Sequence, residues 1–332
     1  MEQPVVLAVD GNSLVHRGYH ALAHTGMRSL AGDPVWAVRG LLMQLVHAVE
    51  RVMPSSVVVG FDDPERSQRR EAYPAYKAQR PDKLRTLVSQ LSLAADVLTS
   101  MGVAVEVPAG LEADDVLASV AARTRETGGR TVVVTSDRDA FALIDDHTSV
   151  LRVINGGVEA SPLLTPERLE IMLGVRPDQY RDFAALRGDP SDNLPGVYGV
   201  GPKIAARLLA DHGTAQTAFA AGAHPRLAAP EAHENWARNC ELMAMRTDLV
   251  VGTGSRLPLA VEAVRKAYAF CRLPGTQAQA LRALCDVEPP AAAPPPDALN
   301  WDPTAEWRAR RSHPPLPQRE AEPRRESQLT LF

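Results

Sequence analysis

The chain has 332 residues, 45% hydrophobic and 23% charged, the composition of a globular protein with one large domain or two modest ones. No apolar run approaches the roughly 18 residues of a membrane span. The acidic opening MEQPVVLAVDG also lacks the basic and apolar regions of a signal peptide, so a cytoplasmic protein with no membrane partner is expected.

Strand-like apolar runs alternate with helical patterns along the first half. VVLAV (5–9) comes first, then a helical stretch around 35–52, then SVVVGF (56–61). VAVEV (103–107) precedes a helix opening near Glu112, TVVVT (131–135) precedes a short helix near 139–144, and SVLRV (149–153) closes the series. This alternation predicts an α/β fold with a mainly parallel central sheet flanked by helices. From Thr165 the strand signals fade. Thr165-Pro166-Glu167 reads as an N-cap with proline at the first helical position, and helical patterns run on to Cys285, broken at 188–201. Residues 289–323 hold ten prolines among many Ala, Arg and Glu. Such a segment buries too little apolar surface to offset chain entropy. The expected organisation is an α/β domain over 1–160, a helical region over 161–286 and a disordered tail over 287–332. Cysteine is limited to Cys240, Cys271 and Cys285, an odd count with no CxxC pair, which argues against a disulfide framework or a cysteine zinc site.

The acids fall at the strand ends. Asp10 follows the first run and Asp62 the second. Glu112, Asp114 and Asp115 open the helix after VAVEV, Asp137 and Asp139 follow TVVVT, and Asp189 and Asp192 share the loop GDPSDN. In an open α/β sheet, ligands bind outside the carboxyl ends of the strands. Any one of these acids alone reads as a helix cap or a dipole partner. Nine converging acids do not, because two like charges about 4 Å apart repel by roughly 4 kcal/mol at an effective dielectric near 20. Cations relieve that repulsion. Oxygen ligands without His or Cys suit Mg2+ or Mn2+, and two such ions ~3.5–4 Å apart clamp the attacking and leaving oxygens of a phosphodiester. Residue types and spacing thus lead to a two-metal phosphotransfer site. The formal net charge of −4 takes on a new meaning too: with nine acids set aside, the remainder carries +5, so a phosphate-rich partner is not excluded.

The motifs VDGNSL, FDD, YPAYKAQRP, LEADDVLAS, TSDRD and LRGDPSDNLPGVYGVGPKIAARLL follow one another over about residues 5–285. Together they resemble the 5'-nuclease domain of bacterial DNA polymerase I and its relatives, the flap endonucleases. The resemblance implies a PIN-like 5'-nuclease fold with metal binding by Asp10, Asp62, Glu112, Asp114, Asp115, Asp137, Asp139, Asp189 and Asp192. It also implies a structure-specific 5'-3' exonuclease and 5'-flap endonuclease acting through two or more divalent ions. No acid of the set is missing, which favours a working enzyme. The alternatives are a non-catalytic module that holds branched DNA and a ribonuclease of the related metal-dependent fold.

The basic stretch 63–85 matches the arch over the active site of this family. There the resemblance assigns Lys77 and Arg80 to the scissile phosphate, with Arg17 of LVHRGYHAL near by. Arg69, Arg70 and Tyr76 are expected on the DNA, the tyrosine by stacking on bases; a solvated charged loop is the plainer reading of the same stretch. LPGVYGVGPKIAARLL (194–209) resembles a helix-hairpin-helix motif, called helix–three-turn–helix in this family. Gly199 and Gly201 would let the backbone approach phosphates, Lys203 would add charge, and K+ would bind in the hairpin. Expected partners are branched or 5'-flap DNA and RNA-primed DNA, in replication and repair, acted on by a nucleoid-associated monomer. The closing QLTLF resembles the pentapeptide by which bacterial proteins dock on the replication sliding clamp. Gln328, Leu329, Leu331 and Phe332 would make that contact, tethered by the proline-rich segment.

Overall fold

Strand β1 (Val5–Asp10) runs into helix α1 (Gly11–Leu22) with no loop between them. Asp10 is both the last strand residue and the helix cap, its carboxylate accepting from the Ser13 N–H at 2.8 Å. Sequence patterning shows no helix here, because glycine, asparagine and serine make a poor first turn. The cap and the burial of Leu14, Val15 and Tyr19 override that propensity. Helix α2 (Trp36–Val52) crosses α1 where Gly18 meets Gly40; a Cβ on Gly40 would stand 2.4 Å from the Gly18 Cα.

The computed structural model describes residues 3–287, and the proline-rich tail with Gln328, Leu329, Leu331 and Phe332 lies outside the described residues. After α2 come β2 (Ser56–Gly60), α3 (Gln68–Ala72), α4 (Arg85–Ser100), β3 (Ala104–Glu106), α5 (Ala113–Glu126), β4 (Arg130–Thr135), β5 (Thr148–Arg152) and β6 (Leu163–Leu164). The second half holds α6 (Pro166–Leu173), α7 (Tyr180–Arg187), the short ladder of β7 (Gly188–Asp189) with β8 (Leu194–Pro195), α8 (Pro202–His212), α9 (Ala215–Ala220) and α10 (Pro230–Leu242). It closes with β9 (Ser255–Arg256), α11 (Val261–Phe270) and α12 (Pro274–Cys285).

The sheet order is β3-β2-β1-β4-β5-β6, and neighbours are parallel except β6 on β5 and β9 on β2. This is the mainly parallel sheet flanked by helices that the alternation predicts. Leu7, Val9, Val57, Val59 and Val134 face one helical layer with α1, α2, α4, α11 and α12. Val6, Ala8, Val58, Val133 and Val150 face the other, with α5 and α7 to α10. Burial on both faces is why these strands read as unbroken apolar runs. Helices α11 and α12 return to the first layer, where Gln279 Nε2 donates to Glu50 Oε2 at 2.7 Å. Among the described residues no helix is long and apolar enough to cross a membrane. Strand order reverses between β1 and β4, where an open α/β sheet leaves a crevice at the carboxyl ends.

The Gly18–Gly40 crossing gives a test of the packing. Alanine at Gly40 gains about 1 kcal/mol of helix propensity, but its methyl meets backbone that no rotamer change moves. Gly40→Ala is expected to lose about 1–3 kcal/mol net, seen as a lower urea midpoint at unchanged slope.

Candidate active site

Carboxylates line the β1–β4 crevice. Asp10 ends β1, Asp137 and Asp139 follow β4, and Asp62 lies two residues past β2. Glu112 caps α5, Asp114 lies in its first turn, and Asp189 and Asp192 come from the β7–β8 turn. Burial pushes Asp10 up to about 7 against hydrogen bonds from Ser13 and Thr135, with Asp62 and Asp137 adding repulsion. Burial, then Asp137, Asp192 and Asp189, push Asp139 up to about 7. Asp114 rises well above the carboxylate range through burial, Asp137, Asp10, Asp139 and Glu112. Asp62 and Asp192 are also raised, burial being the largest cause in each. Eight of the nine sequence-predicted acids thus form one electrostatic cluster, in which burial and like charge act in the same direction. Among the described residues no group of three His, Cys, Asp or Glu side chains stands ready to hold an ion. The donor chemistry nonetheless fits a hard divalent cation: oxygens only, several of them held short of charge balance.

The ninth acid differs. Asp115 is fully buried, and Arg69 grips both its oxygens at 2.7 and 2.8 Å. The backbone N–H groups of Arg246 and Glu112 complete the set at 2.9 and 3.0 Å. Burial works to raise its pKa, but Arg69 and these amides win and hold it below the usual range. Asp115 is therefore engaged with protein partners, and Arg69 corrects the expectation of a DNA contact. Its guanidinium also donates to Leu242 O and Ala244 O, tying α3 to α5 and the end of α10 from inside. Tyr76 corrects the stacking expectation in the same way. It is 4% exposed, and its hydroxyl donates to Glu112 Oε2 at 3.2 Å. Helix α3 lies against the entry to α5, Gln68 N–H donating to Gly110 O at 2.8 Å, and Tyr76 belongs to the buried apolar cluster of the second layer. Arg70 stays exposed.

Chain cations reach one side of the cluster. Lys77 Nζ lies 3.0 Å from Glu112 Oε1 and 3.9 Å from Asp192 Oδ2, and Arg80 pairs with Asp192. Burial disfavours the Lys77 charge, but Glu112 and Asp192 outweigh it and its pKa is raised. Lys77 adopts φ +54°, uncommon for a side-chain-bearing residue, with its N–H donating to Asp192 O at 2.9 Å. Arg17, on α1, donates to Ile154 O at 2.7 Å.

Several supporting residues were not anticipated. Asn12 brackets Asp62, donating to its carboxylate and accepting from its N–H. Ser13 and Thr135 hold Asp10. Their signal, short polar residues beside the acids in VDGNSL and TSDRD, is indistinguishable from ordinary capping in one sequence. His16 is pushed down to about 4 by burial and by Lys83, His20 and Arg80, which marks a cationic surround between α1 and the 77–83 stretch.

The hairpin differs from expectation at one glycine. Gly199 has φ +75°, but its open face is covered: Arg226 Nε would lie 2.9 Å from a Cβ there. Gly201, which precedes α8, has nothing within 4 Å of that position, so approach is open at Gly201. Lys203 is exposed beside it. Arg226 lies over the Tyr198 ring at 5.2 Å and was missed because it comes from outside the motif.

A doubly wound sheet with a carboxylate-lined crevice at its switch point and an attached helical hairpin defines an α/β protein with a candidate cation site. Two family models match the chain: the 5'-3' exonuclease N-terminal resolvase-like domain over residues 5–171 and the 5'-3' exonuclease C-terminal SAM fold over residues 175–264. The chain belongs to the 5'-3' exonuclease family. DNA polymerase I of Mycobacterium tuberculosis is 38% identical over 212 residues, covering 64% of this chain and 23% of that protein. Thermostable DNA polymerase I of Thermus aquaticus is 41% identical over 210 residues, covering 63% and 24%. The chain therefore spans about a quarter of the length of these curated relatives. Among solved structures, a T5 5'-exonuclease with bound zinc superposes with a TM-score of 0.55 at 18% identity, covering 85% of this chain and 94% of that one. Flap endonuclease-1 from Methanococcus jannaschii gives 0.55 at 15% identity, covering 85% and 93%. These two share the fold.

Two outcomes follow from the electrostatics. A carboxyl whose folded pKa lies above its unfolded value near 4 favours the folded state while protonated. That contribution is lost as pH rises from about 4 through 7, the value for Asp10 and Asp139. Thermal melts in chelator should therefore fall from pH 5 to pH 8, and added Mg2+ should restore more stability at pH 8 than at pH 5. Arg69→Met leaves the buried Asp115 charge unpaired and is expected to cost about 3–5 kcal/mol in denaturant unfolding, part of which Asp115→Asn in the same chain should recover.

Proposed function

We infer that the chain hydrolyses DNA phosphodiesters near single-strand/duplex junctions, as a 5'-3' exonuclease and 5'-flap endonuclease dependent on Mg2+ or Mn2+. One observation carries this reading: eight acids converge at the strand-order reversal with Asp10, Asp62, Asp114, Asp139 and Asp192 all held above their ordinary pKa. Asp10, Asp62, Glu112, Asp114, Asp137, Asp139, Asp189 and Asp192 would hold two or more ions, and Asp115 would steady Glu112 from behind. Bound there, divalent cations supply Lewis-acid polarisation of a phosphoryl oxygen and neutralise developing charge. Fold neighbours support the same reading: a T5 flap endonuclease was solved with DNA and metal ions, and the Rad2 catalytic core with a DNA substrate.

The remaining work falls to the chain's own groups. Lys77 and Arg80, already at the rim, would meet the scissile phosphate, with Arg17 on the adjoining helix. Arg70 and the cations around His16 would follow the single strand. Backbone amides after Gly201, with Lys203, would take a duplex phosphate and read shape rather than base sequence. A K+ ion would join that hairpin through backbone oxygens. Branched, 5'-flap and RNA-primed DNA in replication and repair are the proposed substrates of a nucleoid-associated monomer. The pentapeptide Gln328 to Phe332 would bring it to the sliding clamp, raising its local concentration at flaps.

The test is cleavage of a labelled 5'-flap duplex with Mg2+ titrated from zero. Cleavage should require the ion, and Asp114→Ala or Asp137→Ala should slow it about a thousand-fold, the several kcal/mol that a displaced cation withholds. Flap binding without cleavage in the unaltered chain would favour the non-catalytic branched-DNA module instead.

A further inference from the structure

Thr135 is the last residue of β4 and is fully buried. Its hydroxyl donates to Asp10 Oδ2 at 2.7 Å and accepts from the Asp137 backbone N–H at 3.0 Å. A hydroxyl carries one proton. The Asp137 amide can only donate, so that proton is committed to Asp10. The other Asp10 oxygen accepts from Ser13 N–H at 2.8 Å, and Asp137 Oδ1 accepts from Asp139 N–H at 3.0 Å. Two hydroxyls therefore join the β1 end to the turn that carries two acids after β4: Ser13 Oγ accepts from the Ser136 N–H at 2.9 Å, and Thr135 alone of the two touches the Asp10 carboxylate and the Asp137 amide.

The sheet alone does not set this relation. Parallel pairing of Val9 with Val134 brings the ends of the two strands side by side. Asp137, however, lies two residues beyond β4 and its side chain is exposed, so no ladder bond reaches it. We propose that Thr135 is a positioning residue for the divalent-cation site, holding the Asp10 carboxylate and the Asp137–Asp139 turn in fixed relation. It acts through those carboxylates, as partners behind metal ligands do. A role in packing alone would use the methyl group, since β-branched residues suit strands for their shape. Valine keeps that shape and loses the hydroxyl; serine keeps the hydroxyl and loses the methyl.

This proposal rests on the divalent-cation reading above, so the readout is binding as well as cleavage. Mn2+ is titrated into the full chain without DNA and followed by electron paramagnetic resonance. Thr135→Val is expected to weaken Mn2+ binding about tenfold or more, and Thr135→Ser to stay within about threefold. The Mg2+ concentration for half-maximal flap cleavage should rise by the same factor in the valine chain, with the rate at saturating Mg2+ much less changed. Should the valine chain not fold, Thr135→Cys, a weak donor of serine's shape, carries the same expected loss. Valine binding Mn2+ like the unaltered chain, or serine losing as much affinity as valine, overturns the proposal. If Asp137→Asn leaves Mn2+ binding unchanged, the cation reading itself falls and this one with it.

Discussion

Burying a carboxylate raises the cost of its charge, and a second carboxylate beside it raises that cost again. The β1–β4 crevice does both, with Asp10, Asp114 and Asp139 shielded from water and facing Asp137. Much of the surrounding structure serves to hold these groups in place. A parallel sheet brings several strand ends to one rim. The N-terminus of α5 offers unpaired amides and the positive end of a helix dipole, and Asp62 accepts one of those amides, from Ala113, at 3.0 Å. Asn12, Ser13 and Thr135 fix individual oxygens. None of these removes the excess charge; they keep it together.

The cluster is uneven. Towards Glu112 and Asp192, the 73–80 stretch supplies Lys77 and Arg80, and Arg69 stands behind with Asp115. Even so, burial leaves Asp192 above its ordinary value. On the other side Asp10 is eased by the neutral donors Ser13 and Thr135 and Asp139 by Lys77, while burial and neighbouring carboxylates both push Asp114 up. The residues that resemble a DNA-gripping arch are therefore divided in duty. Arg69 and Tyr76 face inward as struts, whereas Arg70 and much of Arg80 remain open to solvent.

The α/β alternation was plain in the sequence because strands buried on both faces write unbroken apolar runs, as at Val57, Val58 and Val59. The acids were plain because they follow those runs directly. Helix α1 was not, since its first turn has low intrinsic propensity and depends on a cap only the fold reveals. Tyr76 and Arg69 were misplaced for a related reason: a basic, aromatic stretch has the same composition whether it lines a groove or plugs one. Arg226 was invisible because its nearness to Gly199 is tertiary, 27 positions along the chain. Thr135 and Asn12 carry no pattern of their own and gain meaning only from the atoms they meet.

Asp10 holds two offices at once, ending a strand and opening a helix with the same carboxylate that faces the crevice. Anyone wanting an inert yet intact form of this chain should leave that position alone, because damage there mixes lost architecture with lost chemistry. The solvent-facing side chain of Asp137 is the cleaner place to cut.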